Sequence, residues 1–201
     1  MVARSGTITS PSQTNLRLIR RTRQRQIPGN VFAMLPPDDR GYLFAQVSQI
    51  GREDGLMRGS LVIHVFALRK AELTVTCDEI DQADPLIDPI WTNSRGWSVG
   101  GVFLTVTNCP VRPNRVIGAF KTYDGLVVDE CRRTVQFAHE GTLGIWGLAS
   151  YRSLDDKISD ALGIKRAPLG LGDLDKLRAR YGADPDELAR QLARFRSADD
   201  S

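Results

Sequence analysis

The chain has 201 residues, 41% of them hydrophobic and 25% charged, with a formal net charge of +3. This is the composition of an ordinary globular protein, long enough for one domain plus a small appendage. No apolar run approaches the roughly 20 residues of a membrane-spanning helix, and so small a net charge does not by itself name a nucleic-acid partner.

Charge is unevenly placed along the chain. Residues 1–26 hold Arg4, Arg17, Arg20, Arg21, Arg23 and Arg25 and no acid. They lack the apolar segment of a secretory signal and read as a disordered basic leader, although an organelle transit peptide shares the composition. Setting those six charges aside leaves the remainder near −3. Pro28-Gly29-Asn30 then marks a turn, Val31–Leu35 is a short apolar run, and Pro36-Pro37-Asp38-Asp39-Arg40-Gly41 is a second turn before the run Tyr42–Ile50. Two such runs about a Gly/Pro/Asp turn predict a hairpin.

The apolar stretch 60–68 reads as a central strand and 72–76 as a weaker one. Residues 77–91 include Pro85 and Pro89, which favour a loop or a single helical turn. Further short strands are expected over 97–107, 115–121, 125–131, 133–138 and 142–149, separated by turn signals such as Asp124-Gly125. After Ser150 the period becomes helical. Ser153 is a candidate N-cap, Ile158 and Leu162 share a face, and Gly163 is a stop. Two more helices are expected over 173–195. The fold class is therefore α+β: a mostly antiparallel meandering sheet or small barrel with C-terminal helices. The expected divisions are a leader over 1–26, a β-rich body over 27–163 and a helical hairpin over 164–201.

Few residues can carry chemistry. Gly96-Trp97-Ser98-Val99-Gly100 spells a hydrolase nucleophile elbow, and Asp124 or Asp129 and then His139 follow in the order of a triad. An elbow needs a helix after its serine, and the segment after Ser98 is glycine-started, β-branched and aromatic. Trp97 is therefore read as a buried anchor with glycines allowing close approach. His64 sits in an apolar strand and reads as a satisfied, half-buried histidine, and Asp38-Asp39 as a solvated turn. Three widely spaced cysteines, Cys77, Cys109 and Cys131, form no zinc motif. They are expected to be buried thiols in a reducing, cytoplasmic setting. No metal or cofactor site is expected. The most suggestive surface feature is acidic. Glu72, Asp78, Glu79, Asp81, Asp84 and Asp88 occur with no Lys or Arg between Ala71 and Ser94, a pattern that steers a basic partner.

The order of "GNVFA", a turn with Gly41 and Tyr42, the apolar strand around His64, and "WSVGG" resembles the immunity protein 26 family of bacterial polymorphic toxin systems over residues 27–135. The residues that carry the resemblance are Gly29, Val31, Phe32, Ala33, Gly41, Tyr42, Trp97 and Gly100. The resemblance implies a small cytosolic α+β protein that binds and neutralises a cognate toxin without catalysis. On that reading the six acids are rim charges of the partner interface and Trp91 is an anchor. Two alternatives stand beside it: a nucleic-acid-associated small β-barrel using the Arg leader, and a hydrolase using Ser98.

Overall fold

The computed structural model describes residues 14–135 and 142–167. The hairpin expected over 173–195, together with His139, lies outside them. Eight strands form one open sheet in the order β5-β1-β2-β3-β4-β8-β6-β7. They are β1 (Asn30–Met34), β2 (Tyr42–Ile50), β3 (Leu61–Lys70), β4 (Ile90–Thr92), β5 (Leu104–Asn108), β6 (Phe120–Lys121), β7 (Val127–Val128) and β8 (Gly144–Ala149). All pairings are antiparallel except β4 with β8 and β6 with β8. The α+β class holds, and of the two expected architectures it is the open sheet that forms.

The central hairpin is built as its turn chemistry dictates. Asp39 and Gly41 both take positive φ, +53° and +84°. A side chain at Gly41 would also lie 2.2 Å from the Lys70 carbonyl, so glycine is needed there on two counts. Side chains then alternate across the sheet. Phe32, Met34, Leu43, Ala45, Val47, Ile63 and Val65 point to one face, where Leu154 and Ile158 of α2 (Tyr151–Ala161) cover them. Val31, Ala33, Phe44 and Phe66 point to the other, where they meet Ile80 of α1 (Cys77–Gln82). Double coverage explains why β2 shows no clean alternation in sequence: both of its faces are buried.

Several elements differ from expectation for local reasons. Residues 72–76 form no strand. Thr76 instead caps α1 in a capping box, its hydroxyl accepting from the Glu79 N–H while the Glu79 carboxylate accepts from the Thr76 N–H, and this outweighs β-propensity. Strand 97–107 shrinks to β5, because Gly96–Gly100 winds into one π-helical turn closed by Gly101 at φ +65°. The stretches 115–121 and 125–131 contribute only the two-residue β6 and β7. Of 133–138, Thr134 bridges Val128, and 136–138 lie outside the described residues. The cap of α2 is Ser150, which accepts from the Ser153 N–H, so that helix begins three residues before the expected site. Gly163 ends it at positive φ as read.

The leader is also different over its described part. Residues 14–26 form a strap on the first face of the sheet. The Asp155 carboxylate of α2 accepts from the backbone N–H groups of Asn15 and Leu16 at 2.8 and 2.7 Å. Leu16 is buried. Arg17 N–H donates to the Leu35 carbonyl, Ile19 and Arg20 N–H to that of Gly101, and Thr22 N–H to that of Trp97. A segment so bonded is part of the fold, and the disordered leader read over 1–26 does not extend to these residues.

Candidate partner-binding surface

Residues 72–84 of the acidic stretch lie on the second face of the sheet, displayed by α1 and its flanks; Asp88 stands apart, beyond Leu86 and Ile87 on the first-face core, in a cleft shared with Lys121 and Lys157. α1 is short, and three devices hold it. Ile80 is fully buried against the sheet. Cys77 is disulfide-bonded to Cys109, just after β5. The third is Arg115, whose guanidinium donates to the Ile80 carbonyl at 2.6 Å and to Gln46 Oε1 at 3.0 Å. It also lies 4.6 Å over the Phe66 ring and 3.6 Å from Asp81. Gln46 in turn donates to the Cys109 carbonyl, so one buried polar network ties helix, sheet and disulfide together. Burial lowers the Arg115 pKa, and Asp81 partly offsets this.

The disulfide corrects the expectation of three buried thiols. Only Cys131 is free, and it is partly exposed. An odd cysteine count with long spacings carries no sign of which pair will meet; that is decided by α1 packing beside the end of β5. Arg115 was likewise unforeseen, since in sequence it is one more arginine in a turn.

Within the acidic stretch the charges divide. Glu79 is committed to Lys70 at 2.6 Å and to the cap, and the lysine, then Thr76, lower its pKa to about 2. Asp81 is half-buried and pairs with Arg112 at 2.8 Å. Glu72, Asp78, Asp84 and Asp88 are exposed and make no ion pair among the described residues. Trp91 does not join them. Its side chain is 0% exposed, its ring tilted against that of Phe120 at 5.1 Å, so it anchors the β4 region of the core and offers a partner no surface.

The glycine-flanked tryptophan is structural. Trp97 is 1% exposed, with its ring 4.7 Å from Phe32 and 4.9 Å from Phe103. Its Nε1–H donates to Thr105 Oγ1 at 3.1 Å, and that hydroxyl donates to Gln26. A side chain at Gly96 would stand 2.1 Å from the Phe103 ring, which is the close approach the glycine permits. Ser98 follows in the π turn and spends its hydroxyl proton on the Ser94 carbonyl at 3.1 Å. His64 lies on the opposite face of the sheet, bonded to the Arg115 carbonyl at 2.9 Å. Desolvation drops its pKa to about 4, so it is a satisfied core histidine, more deeply buried than read. Asp38 is no free turn residue, because it pairs with Arg69 at 2.8 Å.

Among the described residues no group of three or more His, Cys, Asp or Glu could hold a metal ion. No helix among them is long and apolar enough to cross a membrane. The arrangement is thus a sheet that displays charge and buries Phe32, Phe44, Trp91, Trp97, Phe103 and Phe120 in its core.

Comparison with known families fits this architecture. The profile of immunity protein 26 matches residues 27–131, just over half of the chain. The chain belongs to the immunity protein 26 family. The match spans Gly29, Val31, Phe32, Gly41, Tyr42, Trp97 and Gly100, and the structure shows Phe32 and Trp97 as ring neighbours in one core. Membership assigns a toxin-neutralising role and implies a cognate toxin as partner, and immunity proteins are generally non-enzymatic. Neither the curated proteins nor the solved structures contain a match to the chain.

Proposed function

We propose that the chain neutralises its cognate toxin by direct occlusion, and that Glu72, Asp78, Asp84 and Asp88 form the rim that meets a basic toxin surface. The observation that carries this reading is the division of charge on α1 and its flanks. Two acids are spent in ion pairs, and four stand in solvent: Glu72, Asp78 and Asp84 on the helix pinned by the disulfide and Arg115 or beside it, and Asp88 further along the chain. Fixed, unpaired charge of one sign raises encounter rates with a surface of the other sign and suppresses wrong partners. Glu79 and Asp81 then act indirectly, by setting where the helix stands. The aromatic or Arg anchor that a tight interface needs is not Trp91. The nucleic-acid alternative draws only on the arginines of the strap, and the Ser98 alternative asks for chemistry from a hydroxyl that donates to the Ser94 carbonyl.

The test begins with the toxin whose growth inhibition this chain relieves on co-expression. Full-length protein carrying Glu72→Lys, Asp78→Lys, Asp84→Lys and Asp88→Lys should associate with it at least about tenfold more slowly at low salt, the difference shrinking as salt rises. An unchanged association rate would remove these residues from the interface. A toxin bound but still active would remove occlusion.

A further inference from the structure

The first face of the sheet presents charge of the opposite sign. Arg20, Arg21, Arg23 and Arg25 are exposed and have no carboxylate partner among the described residues, whereas Arg17, earlier on the same strap, pairs with Asp39 at 2.9 Å. The strap is fixed by backbone bonds to Gly101 and Trp97 and by the Gln26 side chain, so the four guanidiniums project from an ordered base. Between the strap and the 51–60 loop lies a cleft of about 450 Å³, lined by Arg23, Gln24, Arg25, Glu53, Ser94 and Ser98 among others. The segments that form its walls and their neighbours also expose apolar side chains: Leu18 on the strap, Ile27 just after it, Leu56 in the loop, and Val99 beside Ser98.

We propose that this strap and cleft form a second docking surface, which takes an acidic polypeptide segment carrying apolar side chains from a partner protein. Arginine beside exposed aliphatic groups is the composition of a protein interface, and guanidinium forks match carboxylates in both charge and shape. A nucleic acid fits less well. None of the residues lining the cleft is aromatic, so bases have nothing to stack on, and Glu53 on the far wall, paired with Arg58, opposes a continuous phosphate backbone. The surface lies across the sheet from the acidic face and does not depend on it.

The probe is a fluorescein-labelled peptide of repeated Glu-Leu-Glu, titrated into full-length protein and read by anisotropy. Binding should weaken at least about tenfold in Arg23→Glu/Arg25→Glu and severalfold in Leu18→Ser/Val99→Ser. It should be unchanged in Asp78→Lys/Asp84→Lys, which separates this site from the acidic face. All substitutions are at exposed positions, and circular dichroism checks that each variant is folded. Several results would overturn the proposal: no binding, binding indifferent to Arg23 and Arg25, or binding indifferent to the apolar pair. It would also fall if a thymidine oligonucleotide bound more tightly with the same arginine dependence, which would assign the strap to nucleic acid. Salt-sensitive self-association in sedimentation, abolished by Arg23→Glu/Arg25→Glu, would assign it instead to a second copy of the chain.

Discussion

Trp97 and Ser98 are adjacent, and their substitution should have consequences of very different size. Trp97 is fully enclosed, and truncating a buried tryptophan costs about 3–5 kcal/mol. Two close aromatic neighbours add roughly 0.5–1.5 kcal/mol each, and the lost Nε1–H bond to Thr105 about 1 kcal/mol. These contributions overlap, so about 5 kcal/mol is expected for Trp97→Ala. That is comparable with the whole stability of a small domain, which makes Trp97→Phe the better probe. It keeps an aromatic ring against Phe32 and Phe103 but loses the indole N–H and part of the volume, for about 2 kcal/mol. Ser98→Ala removes only a partly exposed hydroxyl bond and should stay within about 0.5 kcal/mol. Urea unfolding followed by far-ultraviolet circular dichroism measures all three, since that signal does not depend on the tryptophan itself. The reasoning fails if Ser98→Ala costs as much as Trp97→Phe, or if Trp97→Phe is neutral.

Other expectations can be checked on the same protein. The Cys77–Cys109 bridge closes a separation of 32 residues, which in the chain-entropy account stabilises by about 4 kcal/mol; Cys77→Ala/Cys109→Ala should show most of that loss in urea, and thiol titration of the unreduced wild type should find one free thiol, not three. His64 is held neutral with a pKa near 4, below its unfolded value of 6.5. The unfolded chain therefore takes up a proton first, and stability falls as pH drops from about 6.5 to 4, by about 3 kcal/mol; His64→Gln should flatten that part of the pH profile, and an unchanged profile would count against the burial argument. Burial raises the Asp155 pKa, outweighing the two N–H groups it accepts. Its contribution to stability accordingly has the opposite sign, declining as pH rises through the folded-state pKa. Asp155→Ala should speed amide exchange at Asn15 and Leu16 by about tenfold or more while β2 stays protected; equal speeding in both would show general unfolding.

What could be read from residues alone depended on whether the deciding interaction was local. The β1–β2 hairpin was legible because Asp39 and Gly41 encode its turn within six residues. The end of α2 was legible because Gly163 supplies the left-handed stop. Trp97 was recognisable as a core residue because its glycines imply close approach, although its π turn was not, since that turn forms only when Gly96 seats the Phe103 ring. The β-branched stretch at 72–76 misled because Thr76 prefers to cap a helix whose existence depends on Ile80 finding the far face of the sheet. Long-range pairs were invisible. Nothing near Cys77 announces Cys109, nothing near Arg115 announces Gln46 and Ile80, and nothing near Leu16 announces Asp155, about 140 positions away. The acidic residues were legible as a group, but their division into spent and free charge required the positions of Lys70, Arg112 and Arg115.

That division bears on how one small sheet can hold charge of both signs in the open. In sequence the basic segment and the acidic segment are separated by β1, β2 and β3. The strand period of two makes those strands apolar on both sides, so each face must be covered. The strap covers one face through Leu16, and α1 covers the other through Ile80. Each brings its charges with it, and the sheet between them keeps the exposed arginines from the exposed carboxylates. Were the two segments on one face, they would neutralise each other at short range, and neither could steer a partner. A fold that keeps Arg23 and Arg25 unpaired while Asp78 and Asp84 are unpaired on the reverse side has two charged surfaces available at once. The double substitutions on either face should therefore be independent of each other, with free-energy effects on binding that add when combined. A coupling well beyond about 0.5 kcal/mol between Arg23→Glu/Arg25→Glu and Asp78→Lys/Asp84→Lys would mean that the two faces meet a single partner or each other.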